Sequence, residues 1–249
     1  MNQILDQIEG AVLRLTLNRP EKKNALTQEM YQRLADKINN AAGDFSIRAV
    51  VIDSNGDSFT AGNDINDFAN NPQMGKNSPV FNFLFAIHNF PKPLIAVVKG
   101  RAVGIGTTML LHCDYVTANP NTIFSMPFVS LGLVAEGGSS YLFPRLVGHA
   151  KASEIFLTGR TFSADEAMQM GVINRVGENQ LEIAMEFANE VSEQPPNAVI
   201  NTKALLKSSS HEALNQVMLA EGELFKMATE SDEAQIAFMN FLAKKSKVK

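Results

Sequence analysis

The sequence predicts an α/β protein, in which a mixed β/α core is followed by a purely helical region. Two observations support this fold class. Short apolar runs rich in branched residues, which are typical of buried strands, alternate with amphipathic helical stretches as far as Pro195. After Pro195-Pro196 no strand pattern appears, and only helical periodicity remains. We therefore divide the 249 residues into a core, 1–195, and a C-terminal helical region, 196–249.

Composition and charge exclude several classes of function. The net charge of −4 and the acidic pI of about 5.6 give no reason to expect a nucleic-acid partner. No apolar run reaches the roughly 18 residues of a membrane-spanning helix, and the N-terminus lacks the basic and apolar segments of a signal peptide. The single cysteine, Cys113, rules out an internal disulfide and fits a reducing compartment. We expect a cytoplasmic protein that binds neither nucleic acid nor membranes.

The first predicted elements are a strand, a helix and a second strand. Apolar side chains alternate along residues 11–18, which predicts a half-buried strand. Thr27 is a suitable N-cap for a helix over 28–42, and Gly43 is a suitable stop. Arg48–Asp53 encloses four apolar residues and predicts a strand buried on both faces.

A polar segment and an aromatic helix come next. Asn66–Pro79 is rich in Asn, Pro and Gly, and favours either a mobile lid or an ordinary loop. Val80–Phe90 predicts a helix that ends before Pro91. Its phenylalanines at 81, 83, 85 and 90 suit either the core or the lining of a tunnel for an apolar ligand.

A central stretch carries the residues best suited to chemistry. Leu94–Val98 predicts a buried strand, Lys99–Gly106 a turn with three glycines, and Thr107–Cys113 a helix. This arrangement leaves backbone N–H groups free at a helix N-terminus, where they suit an anion or a developing oxyanion. The later turn Gly132–Gly138 places one carboxylate, Glu136, ahead of another helix. We predict that the first turn holds an oxyanion and that the second supplies a base.

Helical patterns dominate after this stretch. Ser139–Leu146, Lys151–Thr158 and Leu181–Glu193 predict helices, and Ser163–Glu166 is a capping box that opens a further one. Beyond Pro195 the apolar side chains of the predicted helices fall on single faces. These faces need a surface to cover.

Five motifs together resemble the enoyl-CoA hydratase/isomerase (crotonase) superfamily, and the likeness runs from about residue 10 to at least Val176. They occur in the family's order, which makes the set highly specific. They are Ala61-Gly62-Asn63-Asp64-Ile65, Lys99-Gly100-Arg101-Ala102-Val103-Gly104-Ile105-Gly106, Phe124-Ser125-Met126-Pro127-Phe128, Glu136-Gly137-Gly138 and Thr158-Gly159-Arg160-Thr161-Phe162-Ser163-Ala164. Within the superfamily, Pro127-Phe128 and the run 131–141 resemble the peroxisomal type of Δ3,Δ2-enoyl-CoA isomerases.

The resemblance implies a ClpP/crotonase fold, a spiral of repeated ββα units with a C-terminal helical region that mediates trimers, often stacked as hexamers. It implies a coenzyme A thioester as the substrate, with no further cofactor and no metal, and a place in fatty-acid β-oxidation. The helices after Pro195 fit this expectation, because their apolar faces would be covered in a homotrimer or hexamer.

The resemblance also assigns site residues by motif position. It places Glu136 as the catalytic acid/base, and the backbone N–H groups of Asn63 and Ile105 as the oxyanion hole. It implies a substrate-binding set of Ala25, Ala61, Asp64, Ile65, Gly104 and Phe128. For Asp64 a purely structural role, as the cap of a following helix, is an equal alternative.

Two departures from the family pattern favour isomerisation over hydration. The family's hydratases use two glutamates, and Thr108 and Phe128 stand at those positions here. Neither side chain acts as a general base near neutral pH, whereas moving a double bond needs only one base. Other crotonase-fold reactions, such as hydration, hydrolysis, dehalogenation or decarboxylation, and acyl-CoA binding without turnover remain alternatives.

Overall fold

Parallel pairing dominates the larger of two β-sheets. In the computed structural model, which describes residues 2–70, 75 and 78–246, six strands form this sheet in the order β1-β2-β3-β4-β6-β9. β1 and β2 form an antiparallel pair, and each later neighbour in the order is parallel. Their bounds are Ile4–Glu9 (β1), Val12–Leu17 (β2), Ala49–Ser54 (β3), Leu94–Val98 (β4), Tyr115–Ala118 (β6) and Arg175–Val176 (β9).

A smaller sheet of three short strands forms within the same described residues, in the order β5-β7-β8. β5 pairs in parallel with β7, and β7 pairs antiparallel with β8. Their bounds are Arg101–Val103 (β5), Ile123–Ser125 (β7) and Thr161–Ser163 (β8). β5 follows β4 after a short turn, so this sheet contains part of the central stretch of the sequence.

Helices connect the strands of these sheets, and further helices follow the last strand. Their bounds are Gln28–Gly43 (α1), Ile65–Asn70 (α2), Pro79–Asn89 (α3), Ile105–Thr108 (α4), Ser139–Val147 (α5), His149–Thr158 (α6), Ala164–Gln169 (α7), Gln180–Glu193 (α8), Pro196–Ser208 (α9), His211–Thr229 (α10) and Asp232–Ser246 (α11). Short 3-10 turns cover Pro20–Lys22, Met109–His112 and Val129–Leu131. Among the described helices, none is both long and apolar enough to span a membrane.

Most predicted elements lie where the pattern placed them. Leu94–Val98 is confirmed with the same bounds, and the Thr27 hydroxyl caps α1 by accepting from the Met30 N–H at 3.3 Å. Ser163 caps α7 in the same way, at 3.2 Å from the Glu166 nitrogen. The mixed α/β core and the helical C-terminal region are therefore both present.

Three local predictions were wrong or incomplete. β1 was missed because its side chains are mostly exposed, which leaves no apolar alternation to detect. The glycine turn contains the strand β5, and the helix after it starts at Ile105 and becomes a 3-10 turn. Residues 66–70 of the predicted lid or loop belong to α2, while 71–74 and 76–77 lie outside the described residues.

The C-terminal helices pack on the core. Leu214 and Met218 of α10 and Ala234 of α11 belong to the same buried apolar cluster as the sheets and α1. A Cβ added to Gly132 would lie 2.7 Å from the Ala234 nitrogen, so α11 lies directly against the loop before Glu136. The division at residue 195 stays a prediction, and these contacts show that the region beyond it packs directly against the core.

Candidate active site

A large cavity of about 1210 Å³ lies between the central stretch and the last two helices. Its wall contains the turns 61–63 and 103–105, the loop 127–133 and the side chain of Glu136. α10 and α11 close it with Phe225, Lys226, Ile236 and Phe238, among other residues. The cavity therefore brings together both turns that the sequence singles out.

Short β-bridges set the two backbone turns side by side. Thr60 pairs in parallel with Ala102, through the bonds Thr60 N–H to Arg101 O at 3.0 Å and Val103 N–H to Thr60 O at 3.1 Å. The chain then advances from both strands in the same direction, towards Asn63 and Ile105. This register is what places two separate N–H groups on one cavity wall.

The N–H groups of Asn63 and Ile105 are left open to the cavity for different reasons. Asn63 forms a parallel β-bridge with Leu26, in which the Leu26 N–H donates to the Gly62 carbonyl oxygen and the Asp64 N–H donates to the Leu26 carbonyl oxygen. In this pattern the N–H of Asn63 itself points away from Leu26. Ile105 is the first residue of α4, where N–H groups have no partner within the helix. In the described part of the chain neither N–H donates a recorded hydrogen bond, and both residues line the cavity.

Close packing explains two glycines of these turns. Gly62 has φ +85°, and a Cβ there would lie 2.9 Å from the Val103 carbonyl oxygen. A Cβ on Gly106 would lie 2.4 Å from Cγ2 of Thr60. Larger residues would push the two turns apart, so the glycines fix the spacing between the two N–H donors.

Glu136 is a buried carboxylate with one strong hydrogen bond. Its side chain is at the cavity wall, although the residue is only 8% exposed. The Thr108 hydroxyl donates to Oε1 of Glu136 at 2.5 Å. Burial, together with a smaller contribution from the negative charge of Glu221, raises the pKa of Glu136 to about 8, against the opposing effect of the Thr108 hydrogen bond. A group with this pKa exchanges a proton readily near neutral pH.

Tyr31 contributes a buried hydroxyl behind the same wall. Its phenolic O–H donates to Oδ1 of Asn63, and the residue is fully buried. Burial, and then the charge of Glu136, raise the pKa of Tyr31 well above its usual value, so the hydroxyl stays protonated. This contact fixes the Asn63 side chain and with it the turn that presents the Asn63 N–H.

The turn that carries Glu136 is held from two sides. His112 Nε2 lies 2.7 Å from the Gly137 carbonyl oxygen, and burial lowers the pKa of His112 to about 3, so its ring is neutral and donates. Glu221 of α10 accepts from the N–H of Gly138 at 2.6 Å and from that of Ser140 at 2.9 Å. Sequence reasoning missed both contacts, because their partners are distant in the chain.

Seven of the nine predicted site residues line the cavity. They are Ala61, Asn63, Ile65, Gly104, Ile105, Phe128 and Glu136. Ala25 and Asp64 are not among the cavity-lining residues in the described structure. Asp64 instead pairs with Arg19 at 2.6 Å and accepts from the first N–H groups of α2, which is the structural alternative. Ala25 accepts a hydrogen bond from Arg19 through its carbonyl oxygen at 2.9 Å.

Three phenylalanines in α3 or directly after it divide between the two roles left open by the sequence. Phe83 and Phe90 are core residues, at 0% and 2% exposure. Phe81 lines a small cavity of about 30 Å³ that Glu136 and Phe225 also line.

Two of the histidines pack against each other: the rings of His88 and His211 stack with their centroids 4.7 Å apart. In the described residues no three His, Cys, Asp or Glu side chains are arranged to hold a metal ion.

Comparison with known proteins identifies the family. The enoyl-CoA hydratase/isomerase family matches residues 7–248. The chain is 36% identical to human enoyl-CoA delta isomerase 2, over 96% of this chain and 63% of that protein. It is 32% identical to 2,3-dehydroadipyl-CoA hydratase of Escherichia coli strain K12, over 99% of this chain and 98% of that protein. The structure of OdaA from Pseudomonas aeruginosa is 43% identical with a TM-score of 0.94, covering 97% of this chain and 99% of that chain.

These similarities confirm the predicted fold class, a crotonase fold with a C-terminal helical region. The chain belongs to the enoyl-CoA hydratase/isomerase family. It spans slightly less than two thirds of the length of the delta isomerases of human and rat that it matches. Isomerases and a hydratase both occur among its relatives, so the family alone does not choose the reaction.

Proposed function

We propose that the protein is an acyl-CoA enzyme that converts 3-enoyl-CoA to trans-2-enoyl-CoA, with Glu136 as its single acid/base. The observation that carries the proposal is one buried carboxylate of raised pKa on a cavity wall that also exposes two backbone N–H groups. No metal or redox cofactor is needed for this reaction. The substrate itself brings the coenzyme A thioester.

Proton removal is the first step of the proposed mechanism. The Glu136 carboxylate takes a proton from C2 of the substrate, and the electron pair of that C–H bond moves into the thioester as an enolate. The N–H groups of Asn63 and Ile105 donate to the enolate oxygen. Such donors stabilise the charged transition state more than the neutral thioester, which is how they increase the rate.

Proton return completes the shift of the double bond. The Glu136 carboxylic acid gives its proton to C4, and the electron pair of the C3–C4 double bond forms the new C4–H bond. The enolate electrons then form the C2–C3 double bond as the thioester carbonyl is restored, and the carboxylate is regenerated. The atoms balance without added water or oxidant. One carboxylate serves both steps because C2 and C4 lie on either side of the same carbon.

The wall around Glu136 disfavours the addition of water. Phe128 lines the cavity and is 6% exposed, and it presents an apolar ring where a second acid would be needed. The Thr108 hydroxyl already donates to Glu136 and is not a base at neutral pH. The apolar ring of Phe128 and the hydrogen bond from Thr108 to Glu136 support isomerisation over hydration as the principal reaction.

Incubation with two substrates tests the proposal. Purified protein is mixed with 3-enoyl-CoA and, separately, with crotonyl-CoA, and the conjugated thioester absorbance is followed. We expect an increase with the first substrate and a negligible decrease with the second. Efficient formation of 3-hydroxyacyl-CoA would identify a hydratase. Binding with no change in either substrate would point to another acyl-CoA reaction or to a non-catalytic binding protein.

We also propose that the protein assembles as a homotrimer or hexamer in the cytoplasm and acts in fatty-acid β-oxidation. Large apolar side chains are exposed along the C-terminal helices, which supports burial between subunits. They are Leu205, Leu206, Leu224, Met227, Ile236 and Met239, all between 55% and 79% exposed. Sedimentation at micromolar concentration should give a trimer or a multiple of it, and a monomer alone would contradict the assembly.

A further inference from the structure

Glu221 is a buried carboxylate without a place in the proposed reaction. It lies on α10, is only 6% exposed, and is not among the residues that line the catalytic cavity in the described structure. Burial raises its pKa, against the opposing hydrogen bonds from Ser140 and Gly138. Burying a carboxylate is costly unless its oxygens are satisfied, so its partners indicate its role.

Both oxygens of Glu221 bind backbone N–H groups just after Glu136. Oε2 accepts from Gly138 at 2.6 Å and Oε1 accepts from Ser140 at 2.9 Å. α5 begins at Ser139 without a side-chain cap from its own N-cap residue, Gly138. Glu221 therefore supplies, from 83 residues away, the cap that a local residue usually supplies.

Two acceptors are required here, which explains the carboxylate. A glutamine has a single carbonyl oxygen, and its NH₂ group would face the second N–H donor. Hydrogen bonds from backbone N–H groups to a charged acceptor are also the stronger kind. The pair of contacts holds the segment 138–140 at a fixed distance from α10.

Close packing shows that the segment has no room to shift. Gly138 has φ +75°, and a Cβ on it would lie 2.3 Å from Cδ1 of Leu214 and 3.2 Å from Cγ of Met218. His112 holds the preceding carbonyl, that of Gly137, from the other side. The backbone that follows Glu136 is thus fixed by α10 on one face and by the 3-10 turn 109–112 on the other.

Glu221 also acts on Glu136 by charge. The groups that face Glu136 are the Thr108 hydroxyl from α4, the Tyr31 hydroxyl from α1 and the Glu221 carboxylate from α10. Glu221 itself faces the N–H groups of α5, the Ser140 hydroxyl and Glu136. A second negative charge disfavours the ionised form of Glu136 and makes it a stronger base.

We propose that Glu221 is a positioning residue for catalysis: it caps α5 through Gly138 and Ser140 and so fixes the segment that follows Glu136, while its negative charge acts on the Glu136 carboxylate. This role rests on the proposed function of Glu136 as the acid/base. It assigns to the C-terminal region a part in the chemistry of its own subunit, besides any part in assembly.

Three variants test the proposal. Glu221→Gln removes the charge and one of two acceptors. Glu221→Asp keeps the charge but shortens the reach to the two N–H groups. Glu223→Gln is the matched control, because Glu223 is an exposed acid on the same helix. Each variant is compared with wild type for kcat, KM, melting temperature and the pH dependence of kcat/KM.

For Glu221→Gln we expect kcat to fall at least about tenfold with little change in KM, since small displacements of a catalytic group cost this much or more. The acid limb of the pH profile should move to lower pH, because the like charge is gone. Glu221→Asp should lower kcat and leave the acid limb near its wild-type position. If Glu221→Gln fails to fold, Glu221→Asp is the variant that tests the proposal. Unchanged kcat and limb in a folded Glu221→Gln, or unchanged kcat in Glu221→Asp, would overturn the proposal.

A readout without turnover separates this proposal from the proposed function. The carboxyl titration of Glu136 is followed by infrared difference spectroscopy, with Glu136→Gln as the reference that assigns the band. Its midpoint should fall in Glu221→Gln and stay unchanged in Glu223→Gln. If wild type does not isomerise 3-enoyl-CoA, the proposed function fails while this shift is still measurable. A midpoint that is the same in wild type and Glu221→Gln would contradict the electrostatic role of Glu221.

Discussion

Two parts of the cavity wall are held in place by different kinds of contact. The oxyanion wall, residues 60–63 and 102–105, is set by main-chain β-bridges and by glycines that permit close approach. The Glu136 turn, residues 136–138, is held by the side chains of Thr108, His112 and Glu221. Truncation of a side chain should therefore harm the Glu136 turn far more than the oxyanion wall, whose two N–H donors are lost only when the backbone is changed.

The largest expected effect is at the Glu136 turn itself. Glu136→Gln keeps the shape of the side chain but removes the base, so we expect turnover of 3-enoyl-CoA to fall on the order of 10²- to 10⁴-fold. Folding and binding of the thioester should be nearly unchanged, as measured by melting temperature and by titration with a substrate analogue. Wild-type rates in this variant would show that another group is the base.

The oxyanion wall needs a backbone change to produce a comparable effect. An ester in place of the Ile105 amide replaces N–H by O and keeps the shape of the turn. Loss of one oxyanion donor costs roughly 10²- to 10³-fold in rate. Binding should weaken much less, because the neutral thioester gains less from the donor than the enolate does. If binding collapses while bound substrate still reacts normally, this turn only docks the thioester.

Asn63→Ala is the side-chain control for the oxyanion wall. It removes no backbone N–H, so kcat should change much less than in the Ile105 ester. It does leave the buried Tyr31 hydroxyl without its partner, which costs about 1–3 kcal/mol of stability by the usual penalty for a buried polar group. A loss of kcat as large as that of the ester would show that the Asn63 side chain takes part in the reaction.

Loss of the hydroxyl that supports Glu136 should have a smaller effect on rate than loss of Glu136 or of an oxyanion donor. Thr108→Val removes the hydrogen bond to Oε1, which favours the charged form, so the pKa of Glu136 should rise further. Hydrogen bonds to charged groups contribute about 1.5–3 kcal/mol. We therefore expect the acid limb of the kcat/KM profile to move to higher pH. At pH values below the pKa of Glu136, kcat/KM should fall roughly ten- to hundredfold.

Thr107→Val is the matched control for Thr108. The Thr107 hydroxyl is also buried on α4, but it donates to the carbonyl oxygens of Ala102 and Ser125. Its removal should lower the melting temperature without moving the acid limb. Equal movement of the limb in both variants would mean that α4 responds as a whole and that the Thr108 contact is not specific.

The same contrast explains what the sequence could predict. Leu94–Val98 and the helix capped by Thr27 follow from local patterns, because apolar spacing and capping act over a few residues. The motif residues Asn63 and Ile105 meet at one cavity because their turns lie next to β-bridges of fixed register, and Glu136 lines the same cavity. These are features that local sequence and family resemblance both describe.

Long-range side-chain contacts could not be predicted in this way. Glu221 meets Gly138 across 83 residues, and its helix offered only an amphipathic pattern that indicated a covered face. The amphipathic pattern also could not show that Phe225 and Phe238 line the cavity, because it indicates a covered face but not what covers it. Asp64 was ambiguous because a carboxylate before a helix suits capping and ligand binding equally, and only its hydrogen bonds to N–H groups of α2 and its contact with Arg19 distinguish them.

The pH dependence of kcat/KM for 3-enoyl-CoA tests the central claim most directly. Glu136 must be ionised to remove the C2 proton, and burial raises its pKa to about 8. We therefore predict that kcat/KM of the free enzyme rises with pH, is half-maximal near pH 8 and is level above it, and that this limb is absent from the residual activity of Glu136→Gln. A profile that is flat from acid to alkaline pH, or the same limb in both proteins, would contradict Glu136 as the base.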